Sequence, residues 1–148
     1  MKRQANKLRV LFLCTHNSCR SQMAEGWTRQ LKGEQIDAYS AGAEPTAPDG
    51  RAVAVMAEAG VDISGQQSKS VAAFVDFPLD VVVTVCASAR EACPVFPAKV
   101  RCVHVGFEDP PALARGDASE EEILAGYRRV RDEIRRFVET LPAALKGR

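Results

Sequence analysis

The apolar positions of this chain change period along its length, and each change marks the border of an expected element. Leu8–Leu13 is apolar apart from Arg9 and carries β-branched and aromatic members, the pattern of a parallel strand buried on both faces. From Cys19 the period lengthens. Met23, Trp27 and Leu31 recur every four residues and predict one apolar helix stripe, ending near Gly33. Ile36–Ala41 reads as a second short strand, closed by Gly42. Glu44–Gly50 is loop, with Asp49 placed to cap a helix that carries Val53, Met56 and Ala57 and stops at Gly60. Gly65–Lys69 is polar and irregular, and Ser70 caps a short helix through Phe74. Asp80–Val85 is the strongest strand signal, and Val100–Val105 gives a fourth strand before the loop Gly106–Pro111. The last helix opens on a capping box, Ser119 with Glu122, and places Ile123, Tyr127, Val130, Ile134, Phe137 and Leu141 at three- and four-residue steps.

Strands that alternate with helices predict an α/β fold. The expectation is a single domain over residues 1–148, an open sheet of four parallel strands flanked by helices. In such a sheet the ligand crevice lies beyond the strands' carboxyl ends, where Cys14, Cys86 and the Phe107–Pro110 loop all fall.

Composition narrows the function. Of 148 residues 46% are hydrophobic and 26% charged, as in an ordinary soluble protein, and the formal net charge is only +1. Nucleic acid and anionic membrane are therefore poor partners. The basic run Arg128, Arg129, Arg131, Arg135 and Arg136 is interleaved with Asp132, Glu133 and Glu139, and reads as a solvated helix face. The apolar run after the basic N-terminus is too short for a secretory signal and lacks a small-residue cleavage site, so a cytoplasmic location is expected. Five cysteines argue against a purely structural disulfide framework and for redox or nucleophilic use. Cys14-x4-Cys19 and Cys86-x6-Cys93 do not match the usual zinc spacings, so no metal site is expected.

Candidate chemistry concentrates in Val10–Ser21. A buried strand runs into the loop Cys14-Thr15-His16-Asn17-Ser18-Cys19-Arg20-Ser21, and the loop opens a helix. Such a loop turns several backbone N–H groups toward one point, which suits an oxyanion and the thiolate form of Cys14. Arg20 follows Cys14 after five residues and can clamp two oxygens with its planar fork. Thr15, His16, Asn17, Ser18 and Cys19 supply the oxyanion-binding backbone, and Ser21 is placed to donate to the sulfur. The plainer alternative is an inert buried cysteine followed by a capping serine. Asp109, after a strand and before Pro110, is the candidate general acid, with Glu108 as the alternative. Cys86 and Cys93 would lie on one helical face, but roughly 10 Å apart along the axis at the helical rise. A disulfide needs Cα atoms within about 7 Å. Pairing would then require local unwinding, a redox switch; two unconnected thiols are the other reading.

The block Cys14–Trp27 resembles the thioredoxin-coupled arsenate reductases, which share the fold of the low-molecular-weight protein tyrosine phosphatases. Ser40-Ala41-Gly42, Asp62-Ile63-Ser64, Val82–Cys86 with Cys93-Pro94, His104–Pro110 and Tyr127–Ile134 extend the similarity over nearly the whole chain. The resemblance implies that Cys14 attacks arsenate held by the loop and Arg20 while Asp109 helps water leave. It further implies a Cys14–Cys86 and then a Cys86–Cys93 disulfide. Thioredoxin would reduce the latter, with no cofactor beyond this redox-active disulfide and the enzyme acting as a monomer. Cys102 and Cys19 have no part in the relay. Some members of the resembled family hold a monovalent cation through groups matching Asn17, Glu25 and Ser40 plus an acid. Lys69 stands where that acid would be, so its ammonium is expected to replace the cation. A phosphatase is the nearest rival, but the tyrosines that follow the Asp-Pro step in family phosphatases are replaced here by Pro111-Ala112-Leu113. A non-enzymatic oxyanion- or zinc-binding regulatory module is the rival of a different class.

Overall fold

The computed structural model describes residues 7–86, 96–97 and 99–145. Cys93, and with it the expected Cys86–Cys93 pairing, lies outside them. The strands are β1 (Leu8–Cys14), β2 (Ile36–Gly42), β3 (Val81–Thr84) and β4 (Arg101–His104). They form one parallel sheet in the order β2-β1-β3-β4, with β1 bonded on both sides. That central position explains the apolar run: Val10, Leu11, Phe12 and Leu13 are all 0% exposed. Each such side chain stabilises the fold by about 1.5–3 kcal/mol relative to leaving it in water. β3 and β4 are shorter than expected, although Asp80 N–H and Val85 N–H still bond to the carbonyls of Arg9 and Leu13.

Among the described residues three α-helices pack around the core on the sheet: α1 (Arg20–Lys32), α2 (Gly50–Glu58) and α3 (Glu120–Glu139). On α1 the stripe ends earlier than its period predicts. Met23 and Trp27 are buried, but Leu31 is 37% exposed. On α2 the buried face is Ala52, Val55 and Met56, whereas Val53 is half-buried and Ala57 exposed. The expected face is thus rotated, and only Met56 keeps its place. Asp49 caps this helix by accepting from Arg51 N–H at 2.8 Å, and Gly60, at φ 86°, provides the left-handed stop.

The capping box of α3 forms in both directions, Glu122 N–H to Ser119 Oγ and Ser119 N–H to Glu122 Oε1. Ile123, Tyr127, Val130 and Ile134 are buried as expected, but Val138 takes the next core position. Phe137 instead sits edge-on to Phe107, with ring centroids 6.2 Å apart. The basic residues of α3 meet carboxylates, Arg128 and Arg131 on Glu58 and Arg135 on Glu139. Arg128, Arg129, Arg135 and Arg136 keep to the solvated face expected of them, whereas Arg131, with 14% of its side chain exposed, is drawn in to donate to the Val55 carbonyl. No helix among the described residues is long and apolar enough to cross a membrane.

Candidate active site

The carboxyl end of β1 runs directly into the loop, so Cys14 sits at the sheet's edge and is 3% exposed. The shape of the loop follows from where its carbonyls go. Those of Cys14, Thr15, His16 and Ser18 accept from the N–H groups of Ala43, Glu44, Thr46 and Asp49. The Asn17 carbonyl accepts from Gln22 Nε2 and Ser68 Oγ. Five successive carbonyls are thereby tied outward. Because each peptide is planar and trans, the N–H groups that follow them turn the other way, toward the concavity over Cys14. Asn17 takes a left-handed φ of 51° to close the loop, a conformation that asparagine tolerates.

Gly42 makes this possible. A Cβ there would lie 2.7 Å from Asn17 N and from Thr15 O, so only glycine lets β2 approach the loop.

The nucleophile's neighbours are fixed by a short relay. Ser21 Oγ lies 2.8 Å from Cys14 Sγ, and the fully buried Asn17 donates its Nδ2 to the same Oγ at 2.8 Å. With Asn17 as donor, the serine proton is free to point at sulfur, which is the orientation a thiolate requires. Lys69 N–H in turn holds Asn17 Oδ1 at 2.8 Å. Cys19 is also buried, and burial first, then the Asp49 carboxylate, pushes its thiol well up. It is held as a neutral packing thiol.

Arg20, the first residue of α1, donates Nη1 to the Phe107 carbonyl at 2.9 Å and sets Nη2 3.3 Å from Asp109 Oδ1. The loop beyond β4 is thus brought over the cradle, and it continues into a 3-10 turn, Pro110–Arg115, not foreseen from the sequence. Together they enclose a cavity of about 270 Å³ lined by Cys14, Arg20 and Asp109 among others. His16 is exposed, and its Nδ1–H donates to the Glu44 carbonyl, so it serves the loop through its backbone.

Cys86 reaches the site from the end of β3. It is 5% exposed, and its Sγ lies 3.3 Å from Thr15 Oγ1, beside the nucleophile's own loop. Cys102 is exposed on the edge strand β4.

Behind the loop, Glu25 is buried and accepts from Ser40 Oγ at 2.5 Å. Arg29 Nη2 lies 2.5 Å from its other oxygen, and the Lys69 ammonium lies 3.9 Å from the carboxylate. Burial holds the Lys69 amine below its ordinary value, against the pull of Glu25. Asn17, Glu25, Ser40 and Lys69 are therefore gathered as expected, with a fixed positive charge beside the carboxylate.

Two features had no signal in the sequence. Tyr127 donates to Asp49 Oδ2 at 2.6 Å, so α3 braces the same aspartate whose N–H holds the Ser18 carbonyl. Arg115 lines the cavity mouth and pairs with Asp109 at 3.4 Å. No periodicity flags a lone arginine at the end of a proline turn.

Comparison with known proteins agrees with this geometry. Residues 9–148 match the family described as low molecular weight phosphotyrosine protein phosphatase. The arsenate reductase of Bacillus subtilis (strain 168) is 46% identical over 139 residues, covering 91% of this chain and 97% of its own. A solved arsenate reductase in its oxidised state superposes with a TM-score of 0.76 at 33% identity, over 93% of this chain and 98% of that one. A low molecular weight protein tyrosine phosphatase from T. tengcongensis gives 0.72 at 26% identity, over 93% and 99%. The chain belongs to the low molecular weight phosphotyrosine protein phosphatase family, among its arsenate reductase members.

Proposed function

We propose that this chain reduces arsenate to arsenite with electrons from its own thiols. The observation that carries the reading is the second cysteine. Cys14 lies in an anion cradle, and Cys86 lies against the same loop through Thr15. A phosphatase of this fold needs the first and has no use for the second.

In the first step the Cys14 thiolate attacks arsenic of an arsenate dianion held by the loop amides and Arg20. One oxygen leaves as water, with Asp109 supplying a proton, and a thiol–arsenate adduct remains. The Cys86 sulfur then attacks Cys14 Sγ. The electron pair of the S–As bond stays on arsenic, which departs as arsenite, and a Cys14–Cys86 disulfide forms. Cys93 attacks Cys86 and expels the Cys14 thiolate, leaving a Cys86–Cys93 disulfide. Two thiols have lost two electrons and arsenic has gained them. The dithiol of thioredoxin resets the enzyme by exchange, in which each displaced sulfur is a good leaving group. No resident cofactor takes part, and the enzyme works as a cytoplasmic monomer.

Phosphomonoester hydrolysis is the second reading, favoured by the family match and by the near identity of phosphate and arsenate in shape and charge. Pro111, Ala112 and Leu113 after the Asp109-Pro110 step offer no ring to sandwich an aryl ester. The test is arsenate-dependent NADPH oxidation in the presence of thioredoxin and thioredoxin reductase. The reading predicts sustained oxidation that disappears in Cys14→Ser and in Cys86→Ser. Phosphate-ester hydrolysis with no arsenate-dependent oxidation would replace it with the phosphatase.

A further inference from the structure

The relay makes no use of Arg115, yet this side chain lines the mouth of the Cys14 cavity. It ends the turn Pro110–Arg115, and 72% of it is exposed. Its Nη2 lies 3.4 Å from Asp109 Oδ2, while Oδ1 of the same carboxylate lies 3.3 Å from Nη2 of Arg20. One carboxylate therefore spans two guanidiniums. Arg20 is deep, with 13% of its side chain exposed, and Arg115 is at the rim.

The turn that carries Arg115 is anchored. Leu113 occupies the space where Gly126 of α3 lacks a Cβ; an added Cβ there would lie 2.1 Å from Leu113 Cδ1. Glu108 pairs with Arg129 of α3, and Phe107 packs on Phe137. The rim cation thus has a built support.

We infer that Arg115 captures the incoming oxyanion dianion at the cavity mouth and passes it to Arg20. The inference rests on the proposed substrate, and adds a residue to its recognition. Both contacts to Asp109 are long beside the roughly 2.7–2.9 Å of a tight charge-assisted pair. A dianion with three or four oxygens is the better partner for both guanidiniums. Arg115 meets it first, Arg20 receives it next, and Asp109 is left free beside the bound anion. An exposed cation attracts a dianion over a distance set by the Debye length, so capture depends on ionic strength.

Arg115→Gln and Arg115→Lys test this by two readouts. Calorimetric binding of inorganic phosphate reads capture with no reduction involved, which separates this inference from the relay. Arg115→Gln should weaken phosphate binding and raise KM for arsenate about five- to tenfold, the scale of one exposed cation on a dianion, with the loss in KM and not in kcat. It should also flatten the dependence of kcat/KM on ionic strength, and Arg115→Lys should restore most of both. Unchanged phosphate affinity and ionic-strength slope in Arg115→Gln, or a loss confined to kcat, would overturn the inference while leaving the reductase reading untouched. Failure of the unsubstituted protein to reduce arsenate would instead remove the reading on which it rests.

Discussion

The sulfur of Cys86 and the hydroxyl of Thr15 lie 3.3 Å apart, so the second cysteine is held against the residue that follows the first. The contact holds the Cys86 sulfur in place beside the nucleophile's loop. Thr15→Val removes that hydrogen-bond partner. Arsenite release in a single turnover should slow more than phosphate-ester hydrolysis does. The ratio of the two activities should fall about fivefold, the worth of one net hydrogen bond. Quenched single-turnover assays on both substrates read the ratio.

Gly42→Ala should damage the cradle without touching any reacting group. The added methyl would lie 2.7 Å from two backbone atoms of the loop, and backbone cannot swing aside as a flexible side chain does. Thermal unfolding should show a loss of about 1–3 kcal/mol, as for other overpacked sites. Phosphate binding should weaken by at least about tenfold, because the N–H groups no longer converge. Calorimetry checks the second effect independently of the first.

Lys69 sets its ammonium 3.9 Å from the buried Glu25 carboxylate, which Arg29 also pairs with, and the expectation that it stands in for a bound cation has a direct test. Arsenate reduction should be equally fast in potassium and sodium salts at equal ionic strength. Lys69→Ala should make the melting temperature and the rate rise on adding potassium. The lysine also leaves a mark on stability. Its folded-state value lies below the ordinary 10.5, so the unfolded chain binds more protons between the two, and stability from this residue rises with pH there. Lys69→Met should remove that rise in alkaline urea titrations.

The capping box predicts an acid limb of the same sense, with stability again rising with pH. Glu122 is held below its ordinary 4.5, first by the Ser119 N–H and then by the Ser119 hydroxyl. A depressed carboxylate contributes stability that is fully present above the ordinary value and lost as pH falls through the folded one. Glu122→Gln should melt below the unsubstituted protein at neutral pH, and the two curves should converge in acid.

Much of this was legible from the chain because the strongest signals were local. The apolar run of β1 and the Ser119/Glu122 box each depend on neighbours in sequence. Asp49 and Ser70 accept from the N–H groups of Arg51 and Ala72, as their capping positions predict. The misses came from tertiary context. Leu31 keeps the period of α1 but falls in its last turn, where it is 37% exposed. Phe137 gave way to Val138 because an aromatic partner, Phe107, waits at the edge of the core. Arg115 carries no pattern at all: only the folded turn, propped by Leu113 on Gly126, brings it to the cavity.

The relay itself is tested most directly by counting thiols after one round. The reduced protein, treated with arsenate in the absence of thioredoxin and then quenched, should be labelled with a thiol reagent and mapped. Of the five cysteines, Cys14, Cys19 and Cys102 should take label, with Cys86 and Cys93 protected as a disulfide. Label on Cys86 and Cys93 in protein that has released arsenite would contradict the scheme.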